Sequence, residues 1–474
     1  MKKNGIFLLI LIVLLASGIR FYKAGSESIW FDEYWSYQCA DQGNIAEVVK
    51  EVSKTENSPP LYHIVLHFWN NIFQPTVINM RMLSVLFGVL TVYGIYLLSC
   101  KLIGVRAGLM CSFLMAISPY SIWYSQEIRM YILVLLLCIY STYQFVMCLH
   151  ERRKTNLFLY FLSSLAGLYT HYYFIFVLFF HIIYLVILLD GKKFSFKHAR
   201  GFLISYLFLA ILFLPWLLTV RNNAPLNSIS WIESPNLLTL FRIFGHLSTG
   251  TFDHFPPIGI KVFGTLLFCG LFIFGAFSHD IRQGKEKKLL YVLGLIIPIC
   301  SALIISILWK PMVYEGKRYL IITLPFFYMG VSAGWVRLKG RLLKGIVLIT
   351  LVGFSAISLY YLYEFPQKRN WREVSSYISA HSQIGDVISS PQVDAGLLEF
   401  YGTGHTVPTN FPKTLSDNTL KKTLAGNKRL WLVLISKETT ELERHLNFLY
   451  RRRESFASCS SIGHIAKLQL YDLE

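Results

Sequence analysis

Acidic side chains are scarce in this chain: 27 Asp and Glu stand against 45 Lys and Arg in 474 residues, and charged residues of both signs reach only 15%. With 54% hydrophobic residues and a mean hydropathy of +0.48, that shortage of charge excludes an ordinary soluble globular protein. Internal repeats and low-complexity tracts are also missing, which removes repeat architectures. Cysteine is sparse, and six of the eight (Cys100, Cys111, Cys138, Cys148, Cys269, Cys300) fall in apolar runs, where the thiol acts as a small filler. Cys39 and Cys459 lie outside those runs; they could pair in an oxidising compartment, though nothing in their spacing supports it.

What the chain does have is long apolar runs. A spanning helix needs about 20 mainly apolar residues, because backbone groups left unpaired in lipid cost several kcal/mol and a helix pairs them locally. Apolar windows near 4–21, 81–99, 106–122, 129–149, 157–170, 172–189, 200–219, 259–278, 289–308, 318–336 and 342–362 make about eleven spans, within a range of 9 to 13. The fold class is a mainly α membrane protein. The segment 61–73 is apolar but short and carries His63 and His67, so it reads as interfacial or re-entrant.

The net charge of +18 is spread over alternate short connections: Lys2 and Lys3, Lys101 and Arg106, Arg152 to Lys154, Lys192 to Arg200, Arg282 to Lys288, and Arg337 to Lys344. The positive-inside rule assigns these to the cytoplasm, with anionic lipid headgroups as partner and no basic, aromatic-laced face for nucleic acid. The N-terminus is then cytoplasmic in a multi-pass cytoplasmic (inner) membrane protein. The first outer loop (22–80), a large outer loop (220–258) and the tail face outward. Arg451 to Arg453 form an outward basic run that reads as solvated or facing headgroups. An alternative makes the first span a cleaved signal peptide, with Lys2-Lys3 ahead of it and small residues at Ala16 to Gly18.

Two domains follow: 1–362, the transmembrane part, and 363–474. In the first outer loop, Ile45, Val48, Val49 and Val52 recur at helical spacing, predicting an amphipathic helix on the membrane with Asn44 as its cap, stopped by Ser58-Pro59-Pro60. The tail alternates helical patterns (371–380, 415–424, 439–450) with strand patterns (386–390, 430–435, 465–471), predicting a small α/β domain. It carries no glycine-rich phosphate-binding pattern, so no cofactor is assigned to it.

The few acids are unevenly placed. Asp32 and Glu33 sit side by side among Trp30, Phe31, Tyr34, Trp35 and Tyr37. Partial dehydration at the membrane surface is the setting in which a carboxylate gains the proton affinity of a general base. At the same face, Gln126-Glu127-Ile128-Arg129 opens one span, Thr170-His171-Tyr172 lies in a hairpin, and Lys317-Arg318-Tyr319 opens another. Ionisable residues at such depth are costly unless they serve a path or a site. The helix macrodipole favours Glu127 in a first turn, whereas Arg129 and Arg318 near helix N-termini require an anionic partner.

Taken in order, Trp-Phe-Asp-Glu (30–33), Ser-Pro-Pro-Leu-Tyr-His (58–63), Arg81-Met-Leu-Ser, Ser-Pro-Tyr-x-x-x-Tyr-Ser-Gln-Glu-x-Arg-Met-Tyr (118–131), Thr-His-Tyr-Tyr and Lys-Arg-Tyr-Leu-x-x-x-x-Pro (317–325) resemble the GT-C superfamily. More narrowly they resemble its family 39 type, relatives of protein O-mannosyltransferases and lipid A aminoarabinose transferases, over roughly residues 1–365. The resemblance implies an inverting transferase that moves a sugar from a polyprenyl-phosphate donor to a hydroxyl of a glycan, lipid or protein on the outer face. It implies Asp32 as general base and Glu33 as its neighbour in catalysis. Arg129, Lys317, Arg318 and Tyr319 are then donor-phosphate ligands, and Glu127, Arg81, Tyr62, His171 and Tyr172 orient the substrates. Some relatives use a divalent metal; Asp32, Glu33, His171, Asp253 and His254 offer ligand atoms, without diagnostic spacing. Two other classes stay open, a ligase for lipid-linked glycans and a lipid or sugar flippase or transporter. The latter would place charge in mid-span and repeat broken helices between halves.

Overall fold

A computed structural model describes residues 3–191, 195–223, 234–250, 257–277, 285–308, 318–390, 396–408, 424–434, 446, 451–457 and 467–473. The chain divides into two compact units, one of Met1–Ala24 and Ser36–Phe365, the other of Gly25–Trp35 and Pro366–Glu474.

The first unit is helical. It contains α1 (Lys3–Phe21), the second half of α2 (Phe31–Ala40), α3 (Ile45–Thr55), α4 (Leu61–Ile72), α5 (Val77–Leu102), α6 (Val105–Ala116), α7 (Pro119–Ser125) and α8 (Tyr131–Glu151). It continues through α9 (Lys154–Thr170), α10 (Phe174–Asp190), α11 (Phe196–Asn223), α12 (Leu237–Thr249), α13 (Ile258–Phe277), α14 (Lys285–Leu308), a 3-10 turn (Tyr319–Thr323), α15 (Leu324–Arg337) and α16 (Arg341–Glu364). The eleven apolar windows fall mainly on helix, with 106–122 broken between α6 and α7. Among the described residues eight helices suffice by length and composition to cross a membrane, or nine if the pair α6 and α7, bent by 58°, counts as one span. The windows at 157–170 and 172–189 belong to α9 and α10, of 17 residues each, long enough for about 25 Å of rise.

The bend between α6 and α7 has a local cause. Pro119 cannot continue α6, so α7 restarts with Ser118 as its cap, accepting the Ser121 N–H at 3.3 Å. The carbonyls this strands at the end of α6 are taken by Arg20 of α1: Nη1 donates to Ala116 O and Nη2 to Met115 O, both at 2.9 Å. Arg20 also donates to Ser121 Oγ at 3.0 Å and Ser125 Oγ at 3.1 Å, and it is fully buried. A helix end buried in an apolar setting needs such a donor, because each orphan carbonyl otherwise costs about 1–3 kcal/mol. Elsewhere α13 and α15 meet backbone to backbone at Gly275 and Gly334, where any Cβ would strike the facing main chain, and at Gly330 a Cβ would strike the Phe272 ring.

The outer-loop helices take the expected places. Asn44 caps α3 by accepting the Glu47 N–H at 3.1 Å. Val48 and Val52 are fully buried within the protein, so this part of the apolar face covers protein and not lipid alone. The 61–73 segment is the single short helix α4, with Tyr62, His63, Leu66 and His67 buried. Within the segment 220–258 lies α12, capped reciprocally by Asn236 and Thr239.

The second unit carries α17 (Trp371–His381), α18 (Gly396–Glu399) and strands β1 (Asp386–Ser389), β2 (Val407–Pro408), β3 (Arg429–Leu434), β4 (Arg451–Ala457) and β5 (Lys467–Asp472). The sheet order is β2-β1-β3-β5-β4, parallel from β2 to β3 and antiparallel beyond. α17, β1, β3 and β5 lie where helix and strand patterns were expected. The basic run 451–453 forms strand β4, and the helical patterns at 415–424 and 439–450 lie mostly outside the described residues. Val387, Leu430, Leu432 and Tyr471 centre the core. Within it Arg429 grips Asp386 with Nε to Oδ1 at 2.8 Å and Nη2 to Oδ2 at 2.6 Å.

Candidate active site

The acid pair opens α2. Glu33 stands three residues after Trp30, so its side chain folds back and accepts the Trp30 N–H at 3.3 Å, half of a capping box. Its Oε2 also accepts Lys368 Nζ at 3.0 Å, and both side chains are buried. Nearby, Ser28 Oγ accepts the Arg372 N–H at 3.1 Å, and the Ile29 N–H donates to the Tyr401 hydroxyl at 2.6 Å. The aromatic residues around the acids are ordered too: Phe31 packs edge-on against Trp35 at 5.8 Å. Asp32 is half-buried where Glu33 is fully buried. These contacts belong to the second unit, to which residues 25–35 contribute.

In the first unit several helix ends converge. Tyr131 at the start of α8, His171 and Tyr173 from the α9–α10 hairpin, and Tyr319 of the 3-10 turn form one ring cluster. His171 lies 5.4 Å from Tyr319 and 6.0 Å from Tyr131, and Tyr173 lies 5.2 Å from Tyr319. The Arg129 guanidinium sits over the Tyr131 ring at 6.0 Å, a cation–π contact at the cluster's edge. His171 Nδ1 accepts the Tyr173 N–H at 3.1 Å, which leaves Nε2 as the protonated nitrogen. Burial, and then the Arg129 charge, lower its pKa to about 3, so the ring is a neutral donor.

The anionic partner that Arg129 requires is Glu56. Nη1 meets Oε1 at 2.6 Å and Nη2 meets Oε2 at 3.1 Å, and Nη1 also donates to Ser36 Oγ at 2.8 Å. Burial pushes the Glu56 carboxyl up, but Arg129 and then His63 outweigh it and hold the pKa at about 2. The resemblance implies for Glu127 a role in orienting Arg129 or contacting the sugar, and assigns none to Glu56. In the sequence Glu56 stands at the break before Pro59-Pro60, where α3 ends.

Glu127 is buried, but it does not occupy a first helical turn. Residues 126–130 are an irregular link, and α8 begins only at Tyr131. The Gln126 amide holds this link to the end of α1 by donating to Arg20 O and Tyr22 O, each at 2.8 Å. Arg318 precedes the 3-10 turn with φ 62° and ψ −73°, a conformation costly for a side chain with a Cβ. Tyr172 points away from the ring cluster, its hydroxyl accepting Trp216 Nε1 at 3.0 Å, while the neighbouring Tyr173 takes the inner place. Tyr62 bonds Ser84 Oγ at 3.2 Å, and Arg81 Nη1 donates to Ala24 O at 2.9 Å. Both stand as buried struts between the outer loop and α5.

Lys317, Asp253, His254 and Cys459 lie outside the described residues. Cys39 is a free, buried thiol. Among the described residues, Glu33 and His171 join no group of three metal-ligand side chains.

A family model described as dolichyl-phosphate-mannose-protein mannosyltransferase matches residues 57–218. The crystal structure of apo ArnT from Cupriavidus metallidurans is similar over 100% of this chain and 99% of its own, at 11% identity and a TM-score of 0.69. The same protein bound to undecaprenyl phosphate gives a TM-score of 0.67 at 10% identity, with 100% and 99% covered. The archaeal oligosaccharyltransferase AglB from Archaeoglobus fulgidus, in complex with an inhibitory peptide and a dolichol-phosphate, gives 0.60 at 10% identity over 98% of this chain and 74% of its own. No curated protein matches the sequence. The chain thus shares the ArnT-like GT-C fold along its full length, and the mannosyltransferase model lies on the part that carries Glu127, Arg129 and His171.

Proposed function

We propose that this protein transfers a sugar from a polyprenyl-phosphate donor to an acceptor hydroxyl at the outer face of the cytoplasmic membrane, with inversion at the anomeric carbon. The observation that carries the reading is the convergence of Arg129, Tyr131, His171, Tyr173 and Tyr319 from three separate helix ends. Such a polar, aromatic-walled corner suits a sugar phosphate, whereas a packing contact would call for aliphatic residues. Undecaprenyl phosphate in one structural neighbour and dolichol-phosphate in another support a lipid-phosphate donor.

Asp32 acts as the general base. It removes the acceptor proton as the oxygen attacks the anomeric carbon, and the lipid phosphate departs from the opposite side. Of the two acids, Glu33 is already committed to Lys368 and the Trp30 backbone, so it positions the turn; half-buried Asp32 is the one that meets the acceptor. Cations stabilise the departing phosphate. Arg129 brings a guanidinium whose charge Glu56 largely balances, so Arg318 and Lys317 carry the larger share of the donor contact. His171, neutral and protonated at Nε2, donates a hydrogen bond without adding charge.

The test is turnover by Asp32→Asn in native membranes with a polyprenyl-phosphate sugar. The variant is expected to lose at least about a hundredfold in rate with protein abundance unchanged. Near-normal turnover would overturn the base assignment. Transfer only from a pyrophosphate-linked glycan would favour a ligase, the reading suggested by AglB.

A further inference from the structure

Two buried histidines lie one turn apart on α4, and they are treated oppositely. His67 is fully used: Nδ1 bonds Ala40 O at 2.9 Å, and Nε2 meets the Asn71 amide at 3.2 Å. His63 has zero exposure, and neither ring nitrogen has a hydrogen-bond partner. A buried imidazole left this way costs about 1–3 kcal/mol, and its nearest charged neighbour, Glu56, faces Nε2 across a gap that a bound ion would bridge. Its surroundings supply two more ligand atoms. The Cys39 thiol comes from the last turn of α2 and the Glu56 carboxylate from the cap of α3, and all three ligand atoms lie within 4.8 Å of one another.

We infer that Cys39, Glu56 and His63 together bind a divalent transition-metal ion of the zinc class. One sulfur, one nitrogen and one oxygen suit a borderline-soft ion; magnesium and calcium would demand oxygens throughout. The separation of His63 Nε2 from Glu56 Oε1 is 3.8 Å, beyond hydrogen-bond reach. Two ligands on one tetrahedral zinc stand about 3.3 Å apart, so closure requires only small side-chain rotations. A thiolate and a carboxylate balance the ion's charge, and the thiol proton leaves on binding. Arg129, with both Glu56 oxygens in its fork, fixes the carboxylate plane, as partners of metal ligands commonly do. Three protein ligands leave a fourth position for water. The metal would tie α2, α3 and α4 together, and the inference stands apart from any assignment of Asp32 or of donor specificity.

The test uses the full chain purified in detergent from zinc-supplemented cells and washed with a mild chelator. Near-stoichiometric zinc is expected in the wild type and background levels in Cys39→Ser and His63→Gln. Replacing the ion with cobalt(II) should produce a near-ultraviolet thiolate-to-metal charge-transfer band that Cys39→Ser abolishes. If the variants fail to fold, the wild-type band decides alone. Wild-type protein without zinc and without the band would overturn the inference, leaving His63 to be hydrogen-bonded by water. So would zinc content or a band that survives both substitutions in folded protein.

Discussion

Asp386 and Arg429 make the clearest single contact at residue scale: two parallel hydrogen bonds, a third from Trp431 Nε1 at 2.9 Å, and a fully buried Asp386 side chain. Burial pushes the carboxyl up, but the Arg429 bonds outweigh it and hold its pKa below the ordinary 3.8. A group depressed on folding contributes stability that is present above its unfolded pKa and is lost as pH falls through the folded value. The tail unit should therefore weaken on acidification below about pH 4. That acid-dependent part should vanish in Asp386→Asn. Arg429→Met, which leaves the carboxylate buried and alone, should cost about 3–5 kcal/mol at neutral pH, read by denaturation of the tail's tryptophan fluorescence. An unchanged midpoint would show that the carboxylate finds another donor.

The broken span α6–α7 is the element on which the site's approach depends, because the link 126–130 that carries Glu127 and Arg129 follows directly from it. Arg20 stabilises the break from α1 through carbonyls and hydroxyls alone. Replacing it with Met keeps the volume but strands the Met115 and Ala116 carbonyls, a loss of about 2–4 kcal/mol. Arg20→Met should accordingly lower the unfolding temperature in detergent. It should also reduce turnover more than a neutral substitution at an exposed position such as Asn4, by loosening the link. Unfolding that matches the wild type would mean that the carbonyls are satisfied otherwise.

For the whole molecule, the distribution of basic connections predicts one orientation. With a cysteine introduced at Asp41→Cys, an impermeant maleimide should label intact cells; at Lys339→Cys it should label only after permeabilisation. The reverse pattern would place the acid pair in the cytoplasm, where no outer-leaflet donor is met, and would end the proposed chemistry with it. The likeness to ArnT at 11% identity and a TM-score of 0.69 belongs to this scale as well. Such a fold persists through replacement of most of its side chains.

Periodicity and composition by themselves determined the apolar windows, the α3 and α4 helices of the outer loop, and most of the tail's described elements. Each of these is a local property: a run long enough to bury its backbone, or an alternation that matches one period. They also marked the polar residues at the outer helix ends, since charge is costly there and therefore conspicuous. Only the tertiary structure decided that Arg129 pairs with Glu56, 73 positions earlier, that Lys368 closes on Glu33, and that Arg20 caps a helix about 95 residues away. It alone put Tyr173 and not Tyr172 in the ring cluster, and grouped residues 25–35 with the tail. Partnership between distant side chains depends on how elements pack, and no local period encodes packing.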